Sequence, residues 1–150
     1  MLQNYNTYRI LQLFFDQPTK LFQLRELSRL ADIGLPSVIN HVKKLEKYGF
    51  VRKEKKNIYE SYVANKDNDR YRLYKKNDLT LRLNESGFVK YVTDSIMPNA
   101  VIIFGSASRG EDIETSDIDI FILSKEEKLD FKKFESILKR RINIYFETDI

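Results

Sequence analysis

Apolar residues in the first third of the chain recur every three or four positions, the spacing of helices that bury one face. This pattern predicts a helix over about residues 4–15, a second over about 24–30, and a third that ends at Gly49. Between the last two helices, Gly34 is the predicted tight turn and Ser37 the predicted N-cap of the third. The chain is therefore expected to begin with three short, consecutive helices.

After the third helix the pattern changes to alternation, which is typical of strands with one buried face. The predicted elements here are a strand at 50–54, a turn at 55–57, a returning strand at 58–64, a helix at about 69–83, and a shorter helix opened by Asn84-Glu85-Ser86 and ended by Pro98. A hairpin and two further helices are thus expected in the middle of the chain.

The last third contains two apolar runs separated by a polar loop. Residues 100–104 are continuously apolar, as in buried strands, and residues 117–123 form a second predicted strand. A helix over about 129–140 and a strand at 142–146 follow. Together with the N-terminal helices and hairpin, these elements predict an α+β protein.

Composition excludes several classes of protein. The 150 residues are 42% hydrophobic and 32% charged, with five Gly and three Pro, which excludes a disordered or collagen-like chain. The sequence has no cysteine, hence no disulfide framework and no thiolate metal site, and no apolar run approaches the length of a membrane span. Because the N-terminal segment resembles an amphipathic helix more than a signal peptide, a cytoplasmic protein is expected, with no membrane partner.

Charge is distributed unevenly along the chain. Up to Met97 there are 18 Lys and Arg against 11 Asp and Glu, whereas after it there are 8 against 11. A basic front and an acidic back suggest two modules with different partners, the first of them a polyanion. The alternative is that a moderate excess of lysine only solvates the surface.

Three helices followed by a hairpin, with a glycine between helices two and three, resemble the winged helix-turn-helix family over residues 1–64. In that fold the third helix reads the major groove of double-stranded DNA, and the hairpin is the wing. The predicted DNA-binding residues are polar or basic and lie on this helix or on the wing: Ser37, Asn40, Lys43, Lys44, Lys53, Lys55 and Lys56. The alternative is a protein-interaction module. The helix at 65–83 is the predicted linker and the candidate contact of a homodimer.

The acidic part contains a pattern suited to phosphate and metal. Gly105-Ser106 follows the first apolar strand, and a small turn of this kind lets backbone amides and a hydroxyl approach a phosphate chain. After ten intervening residues come Asp117 and Asp119, which period two places on one face of a strand, about 7 Å apart. Paired carboxylates suit hard divalent cations that also bind phosphate oxygens. The alternative is a chance pair of aspartates.

Gly-Ser, ten residues and Asp-x-Asp, with Phe104 before and Ser108-Arg109-Gly110-Glu111 after the Gly-Ser, resemble the polymerase-beta-type nucleotidyltransferases, in particular the minimal ones. The resemblance implies a mixed sheet with flanking helices over residues 84–150. It also implies two Mg²⁺ on Asp117 and Asp119 and a nucleoside triphosphate, expected to be ATP, held by Gly105, Ser106 and Arg109. A nucleotidyl group would pass to a hydroxyl while pyrophosphate leaves.

One part of the family pattern is replaced. Where the family carries a third carboxylate on the next strand, this chain has Asn143, whose amide binds metal weakly and cannot accept a proton. Glu147 lies on the same face of the strand, four residues further, and is the candidate substitute. Binding of nucleotide and metal is expected to survive this change better than turnover.

The hypothesis is therefore a DNA-binding winged-helix protein whose second domain binds Mg-nucleotide. This domain transfers AMP to a hydroxyl acceptor, or senses nucleotide to modulate DNA binding. One alternative is a transcription regulator whose second domain is catalytically degenerate. The other, implied by the resemblance, is an antitoxin-type adenylyltransferase acting on a HEPN-type toxin or another protein acceptor.

Overall fold

The computed structural model describes residues 5–56 and 58–148, and for Lys56 the backbone alone. The chain divides into two compact units, residues 1–72 and residues 73–150, which we call the N-terminal and the C-terminal unit. Within the described ranges no helix is long and apolar enough to cross a membrane.

The N-terminal unit contains three helices followed by a two-stranded antiparallel sheet. Its elements are α1 (Asn6–Asp16), α2 (Leu24–Ala31), α3 (Leu35–Lys47), β1 (Val51–Lys56) and β2 (Tyr59–Ala64). The hairpin pairs Val51 with Ala64 and Lys56 with Tyr59. Apolar faces of all three helices meet in one core with residues of both strands, so the 3.6-residue and two-residue periods both correspond to buried faces.

The end of α3 follows from Gly49. This glycine has φ +78°, which is accessible to glycine without steric cost. Its amide donates to the Glu46 carbonyl, and the Phe50 amide donates to the Leu45 carbonyl, both at 2.9 Å. These are the two hydrogen bonds of a Schellman motif, which satisfies the last carbonyls of the helix. The predicted end of the helix is confirmed.

Other turns differ from the prediction. The left-handed residue between α2 and α3 is Asp32, with φ +53°, whereas Gly34 has φ −56° and is itself the N-cap of α3. The prediction that Ser37 caps α3 is wrong, because the helix begins at Leu35 and Ser37 lies in its first turn. The predicted turn at 55–57 is also too long, since Lys55 pairs with Glu60 inside the hairpin; Asn57 lies outside the described residues.

The C-terminal unit contains a mixed three-stranded sheet with helices. Its elements are α4 (Asp69–Glu85, divided between the two units after Arg72), α5 (Phe88–Ile96), β3 (Ala100–Phe104), α6 (Gly105–Arg109), β4 (Ile118–Leu123), α7 (Lys132–Leu138) and β5 (Ile142–Glu147). The strand order is β3-β4-β5, with β3 antiparallel and β5 parallel to the central strand. This arrangement confirms the predicted α+β class and mixed sheet.

Several predicted boundaries in this unit need correction. Asn84 and Glu85 end α4 and do not open α5, which starts after Gly87 at φ +84°. The helix expected over about 129–140 is only seven residues long. The run at 100–104 does form a strand, but not a buried one: β3 lies at an edge of the sheet and its residues are half-buried or exposed.

The two faces of the sheet differ sharply. Ile118, Ile120 and Ile122 of β4 are fully buried in a core that includes Phe88 of α5 and Phe134 of α7. Since neighbouring strand residues point to opposite faces, the residues between those isoleucines lie on the other face. That second face carries the polar residues described next.

Candidate functional site

Asp117 and Asp119 lie where the central strand of the C-terminal unit begins. Asp117 directly precedes β4, and Asp119 is the second residue of the strand. The side-chain amide of Asn143 donates to both carboxylates, at 3.2 Å to Asp117 Oδ2 and 3.0 Å to Asp119 Oδ1. A single amide group within hydrogen-bond distance of both places the two carboxylates on the same face.

Asn143 occupies the position expected for the third acidic residue. On β5 it is in register with Asp119 of β4. Glu147 is in register with Leu123 instead, four residues along the strand from Asn143, which corresponds to roughly 13 Å. The structure therefore places Asn143, and not Glu147, beside the two aspartates.

Gly105 lies against the Asp119 carboxylate. A Cβ added to this glycine would be 2.7 Å from Asp119 Oδ2, and its backbone has φ +69°. Both the conformation and the contact disfavour a side chain here. The glycine of the Gly-Ser pair therefore lets the end of β3 and the start of β4 approach each other closely.

Ser106 and Arg109 are in the short helix α6 that starts at this glycine. Ser106 is half-buried. Arg109 Nη1 donates to the Gly105 carbonyl at 3.0 Å, and its Nε donates to Glu111 Oε2 at 2.7 Å. The guanidinium thus lies beside the Gly-Ser turn with part of its charge offset by Glu111.

A buried ionic network supports the loop before Asp117, and no local sequence pattern indicates it. Asp112 is only 4% exposed and forms ion pairs with Lys75 of α4, at 2.8 Å, and with Arg140. Arg140 also donates through Nε to the Ser116 carbonyl at 2.8 Å and through Nη2 to the Asp117 carbonyl at 3.3 Å. One guanidinium thus fixes the backbone that carries the first aspartate.

The charge state of Asp112 follows from this network. Burial alone raises the pKa of its carboxyl, but the attraction and hydrogen bonds of Lys75 and Arg140 outweigh burial, and the net pKa is lowered. Asp112 is therefore an anion between two cations at neutral pH, as a buried charge must be to remain ionised.

The donor set around Asp117 fits magnesium. The two carboxylates are hard donors of the kind that Mg²⁺ uses, with substrate phosphates and water completing its coordination, whereas Asn143 presents its amide N–H groups to them. Among the described residues, no cluster of three or more His, Cys, Asp or Glu is arranged to hold a metal.

In the N-terminal unit, the residues predicted to bind DNA differ in exposure and in their ion pairs. Asn40, Lys43 and Lys44 of α3 and Lys55 of β1 are exposed, whereas Ser37 is half-buried. Lys53 forms an ion pair with Glu60 at 3.0 Å. The side chain of Lys56 lies outside the described part of the chain.

The only histidine of the chain, His41, packs inside the N-terminal unit. Its Nδ1 lies 2.7 Å from the Thr7 hydroxyl. Burial, with a smaller contribution from Lys44, lowers its pKa. A half-buried, hydrogen-bonded imidazole of this kind is a structural residue.

Comparison with known families agrees with the geometry of the C-terminal unit. Residues 88–149 match the family model described as "Polymerase beta, Nucleotidyltransferase". No curated protein and no solved structure matches the chain. The matched residues include the Gly-Ser turn, both aspartates and Asn143. The chain therefore carries a nucleotidyltransferase domain of the polymerase beta type at residues 88–149.

Proposed function

We propose that the C-terminal unit binds a Mg²⁺-nucleoside triphosphate, with ATP as the expected nucleotide, and transfers its nucleotidyl group to a hydroxyl acceptor. The observation that carries this proposal is the convergence of Asp117 and Asp119 on one amide, directly beside Gly105. The family match of residues 88–149 supports the same chemistry.

Each residue of the site has a distinct role in the proposal. Asp117 and Asp119 hold Mg²⁺, in the two-metal arrangement implied by the family, and bound metal offsets the charge that develops on the α-phosphate. Gly105 lets the backbone lie close to the Asp119 carboxylate, and Ser106 supplies a hydroxyl to the terminal phosphates. Arg109 adds positive charge at the edge of the Gly-Ser turn.

In the transfer step, the acceptor oxygen forms a bond to the α-phosphorus while the bond to the β-phosphate oxygen breaks and pyrophosphate leaves. The acceptor also loses a proton, which Asn143 cannot take up because an amide is not a base at neutral pH. The proton therefore passes to water. We therefore expect the chain to bind nucleotide but to transfer the nucleotidyl group slowly.

Label transfer from ATP tests the proposal. The full chain is incubated with Mg²⁺, ATP labelled on the α-phosphate, and a protein acceptor of the HEPN-toxin class. Labelled acceptor is expected with the unaltered chain and none with the variant Asp117→Asn/Asp119→Asn, which keeps the shape of both side chains but removes their charge.

Titration calorimetry with Mg²⁺ and ATP separates binding from catalysis. Binding that the double variant abolishes, without label transfer to any acceptor, would favour the degenerate-domain alternative. Absence of both binding and transfer in the unaltered chain would contradict the proposed function.

A second function is favoured by the N-terminal unit. Asn40, Lys43 and Lys44 are exposed on α3, whose opposite face is buried, and a basic hairpin follows. Side chains of these types contact base edges and phosphates in the major groove. We infer that this unit binds double-stranded DNA.

A matched pair of variants tests DNA binding. Lys43→Ala/Lys44→Ala is expected to weaken binding of a DNA duplex, measured by fluorescence anisotropy. The control, Lys132→Ala/Lys133→Ala, removes the same charge from two exposed, adjacent lysines of α7. Equal weakening by both pairs would indicate a nonspecific charge effect and contradict recognition of DNA by α3.

Repeating the DNA titration in the presence of Mg²⁺-ATP tests whether nucleotide modulates DNA binding. An unchanged affinity for DNA would contradict such modulation.

A further inference from the structure

Two aromatic rings lie on the same face of the sheet as the aspartates. Phe104, the last residue of β3, is directly opposite Asp119 in the β3–β4 pairing. Tyr145 is two residues after Asn143 on β5 and therefore shares its face. The two ring centroids are 5.3 Å apart in an edge-to-face arrangement. We call Phe104 and Tyr145 the aromatic pair.

The aromatic pair is exposed to solvent. Phe104 is 37% and Tyr145 49% accessible, whereas the isoleucines of β4 on the opposite face are completely buried. The two rings come from the two edge strands and meet over the central strand. They therefore form a continuous apolar patch that the described fold leaves accessible beside a polar site.

Proximity to the phosphate site limits what can lie on this patch. Neighbouring strands are about 4.8 Å apart, so the backbone of Phe104 is one strand spacing from that of Asp119. Phe104 is also the residue immediately before Gly105, at which the phosphates are proposed to bind. In a nucleotide whose phosphates lie at these residues, only the sugar separates the phosphates from the base. The base is therefore held close to the aromatic pair.

We propose that the aromatic pair is the stacking site for the base of the bound nucleotide, an assignment that rests on the proposed function. A flat, aromatic and weakly polar base matches exposed rings in shape and chemistry. Stacking accepts any base, because every base has a π-face. Stacking at Phe104 and Tyr145 thus favours purines through their larger area and does not itself separate adenine from guanine.

The test compares ligands with and without a base. The full chain is titrated calorimetrically, in the presence of Mg²⁺, with an ATP analogue carrying a methylene group between the α- and β-phosphates, and with inorganic tripolyphosphate. Both ligands present a phosphate chain to Asp117 and Asp119, but only the analogue carries adenine. The unaltered chain is expected to bind the analogue more tightly.

Removal of the rings is expected to affect only the ligand that carries a base. Phe104→Leu/Tyr145→Leu should weaken the ATP analogue about tenfold, as loss of one stacked base does, and leave tripolyphosphate unchanged. Phe104→Tyr/Tyr145→Phe keeps both rings and should keep the affinity. Ile102→Val, an exposed aliphatic residue on the same strand and face, is the control and should change neither ligand.

The outcomes separate this proposal from the function on which it rests. Equal weakening of both ligands by the leucine variant would indicate a structural role of the rings and overturn the stacking site. Unchanged binding of the analogue would overturn it as well, while tripolyphosphate binding that depends on Asp117 and Asp119 would leave the phosphate site standing. Binding of neither ligand by the unaltered chain would overturn both proposals. Conversion of a dimer to a monomer by the leucine variant, seen in sedimentation, would assign the patch to a second copy.

Discussion

Asn143 distinguishes this site at the scale of single residues. Its amide donates one hydrogen bond to each of two carboxylates that would otherwise face each other unscreened. A neutral donor at this position lowers the repulsion between Asp117 and Asp119 without adding charge. The substitution therefore favours a site that is stable before metal binds, at the expense of a third anionic ligand.

Asn143→Asp should make the metal-free site less stable and its binding of metal tighter. Three carboxylates repel one another without metal, so we expect the melting temperature of the metal-free chain to fall by roughly 3 °C, equivalent to about 1 kcal/mol for a chain of this length. With Mg²⁺ the third carboxylate should tighten metal binding and accelerate label transfer. Thermal melts with Mg²⁺ and with EDTA measure the first effect, and titration calorimetry measures the second.

Asn143→Ala is the matched control, because it removes both hydrogen bonds without adding charge. Its melting temperature should respond to Mg²⁺ less than that of Asn143→Asp. An identical response of the two variants would show that the side chain at this position does not control metal binding.

Gly105→Ala tests the close approach of the Gly-Ser turn to the metal ligands. The new Cβ would lie 2.7 Å from Asp119 Oδ2 in a backbone conformation that alanine disfavours. We expect a loss of about 1 kcal/mol in stability, the cost of a left-handed conformation for a residue with a Cβ, and a loss of nucleotide binding in calorimetry. Gly34→Ala is the control, since nothing lies within 4 Å of its Cβ and its φ is −56°. Nucleotide binding retained by Gly105→Ala would contradict this account of the turn.

At the scale of elements, hydrophobic periodicity predicts the helices and strands well because each buries one face. β3 and β4 begin and end within a residue of the predicted positions. Turns are less predictable, as the segment between α2 and α3 shows. The predicted turn residue is Gly34, but the left-handed residue that ends α2 is Asp32, a residue type whose sequence pattern gives no such signal.

The candidate site likewise has parts that the sequence predicts and parts that it does not. The Gly-Ser turn, Asp117 and Asp119 form a short, spaced motif, and the position of Asn143 follows from pairing β5 with β4. The network of Lys75, Asp112 and Arg140 could not be predicted, because its members are 37 and 28 residues apart and belong to different elements. Charged residues are usually on the surface, so sequence alone does not indicate which of them are buried.

Asp112 gives the C-terminal unit a specific acid sensitivity. Because the pKa of this carboxyl in the folded chain lies below its ordinary value of 3.8, its stabilising contribution is complete above that pH and is lost as the pH falls through the lowered pKa. Asp112→Asn should cost about 3 kcal/mol at neutral pH, since it leaves Lys75 and Arg140 buried without their anion. It should also flatten the dependence of stability on pH below about 4.

Hydrogen exchange of β4 amides in the full chain measures this effect within the C-terminal unit. Asp94→Asn provides the control, because Asp94 and Lys90 form an ion pair that is largely exposed to solvent, and pairs of that kind contribute little. Equal loss of protection in the two variants would contradict the importance of burial.

Arg140→Lys tests how the loop before Asp117 is supported. Lysine keeps a positive charge for Asp112 but lacks the planar fork with which arginine reaches two backbone carbonyls as well. We expect affinity for Mg²⁺-ATP to fall about tenfold, the usual effect of removing a group that orients a ligand. An affinity equal to that of the unaltered chain in calorimetry would show that the Asp117 backbone is positioned without Arg140.

At the scale of the whole molecule, the uneven charge predicts how the proposed binding of DNA depends on salt. Each lysine that contacts phosphate adds about one unit to the slope of log affinity against log salt concentration. Lys43→Ala/Lys44→Ala should therefore reduce the slope by about two units. Lys53→Ala should reduce it less, because Glu60 already lies 3.0 Å from its ammonium group. Equal slopes for the unaltered chain and the double variant, over a salt series, would contradict phosphate contacts by α3.

The edge position of β3 has a consequence for handling the protein. Ala100-Val101-Ile102-Ile103-Phe104 has no charge and no proline, and it lies at the side of its sheet with one row of backbone groups outside the β3–β4 ladder. Short apolar strands of this kind are templates for pairing between chains once the surrounding structure loosens. Aggregation during refolding or heating should therefore begin at β3, and a lysine at the exposed position of Ile102 should keep the protein in solution longer.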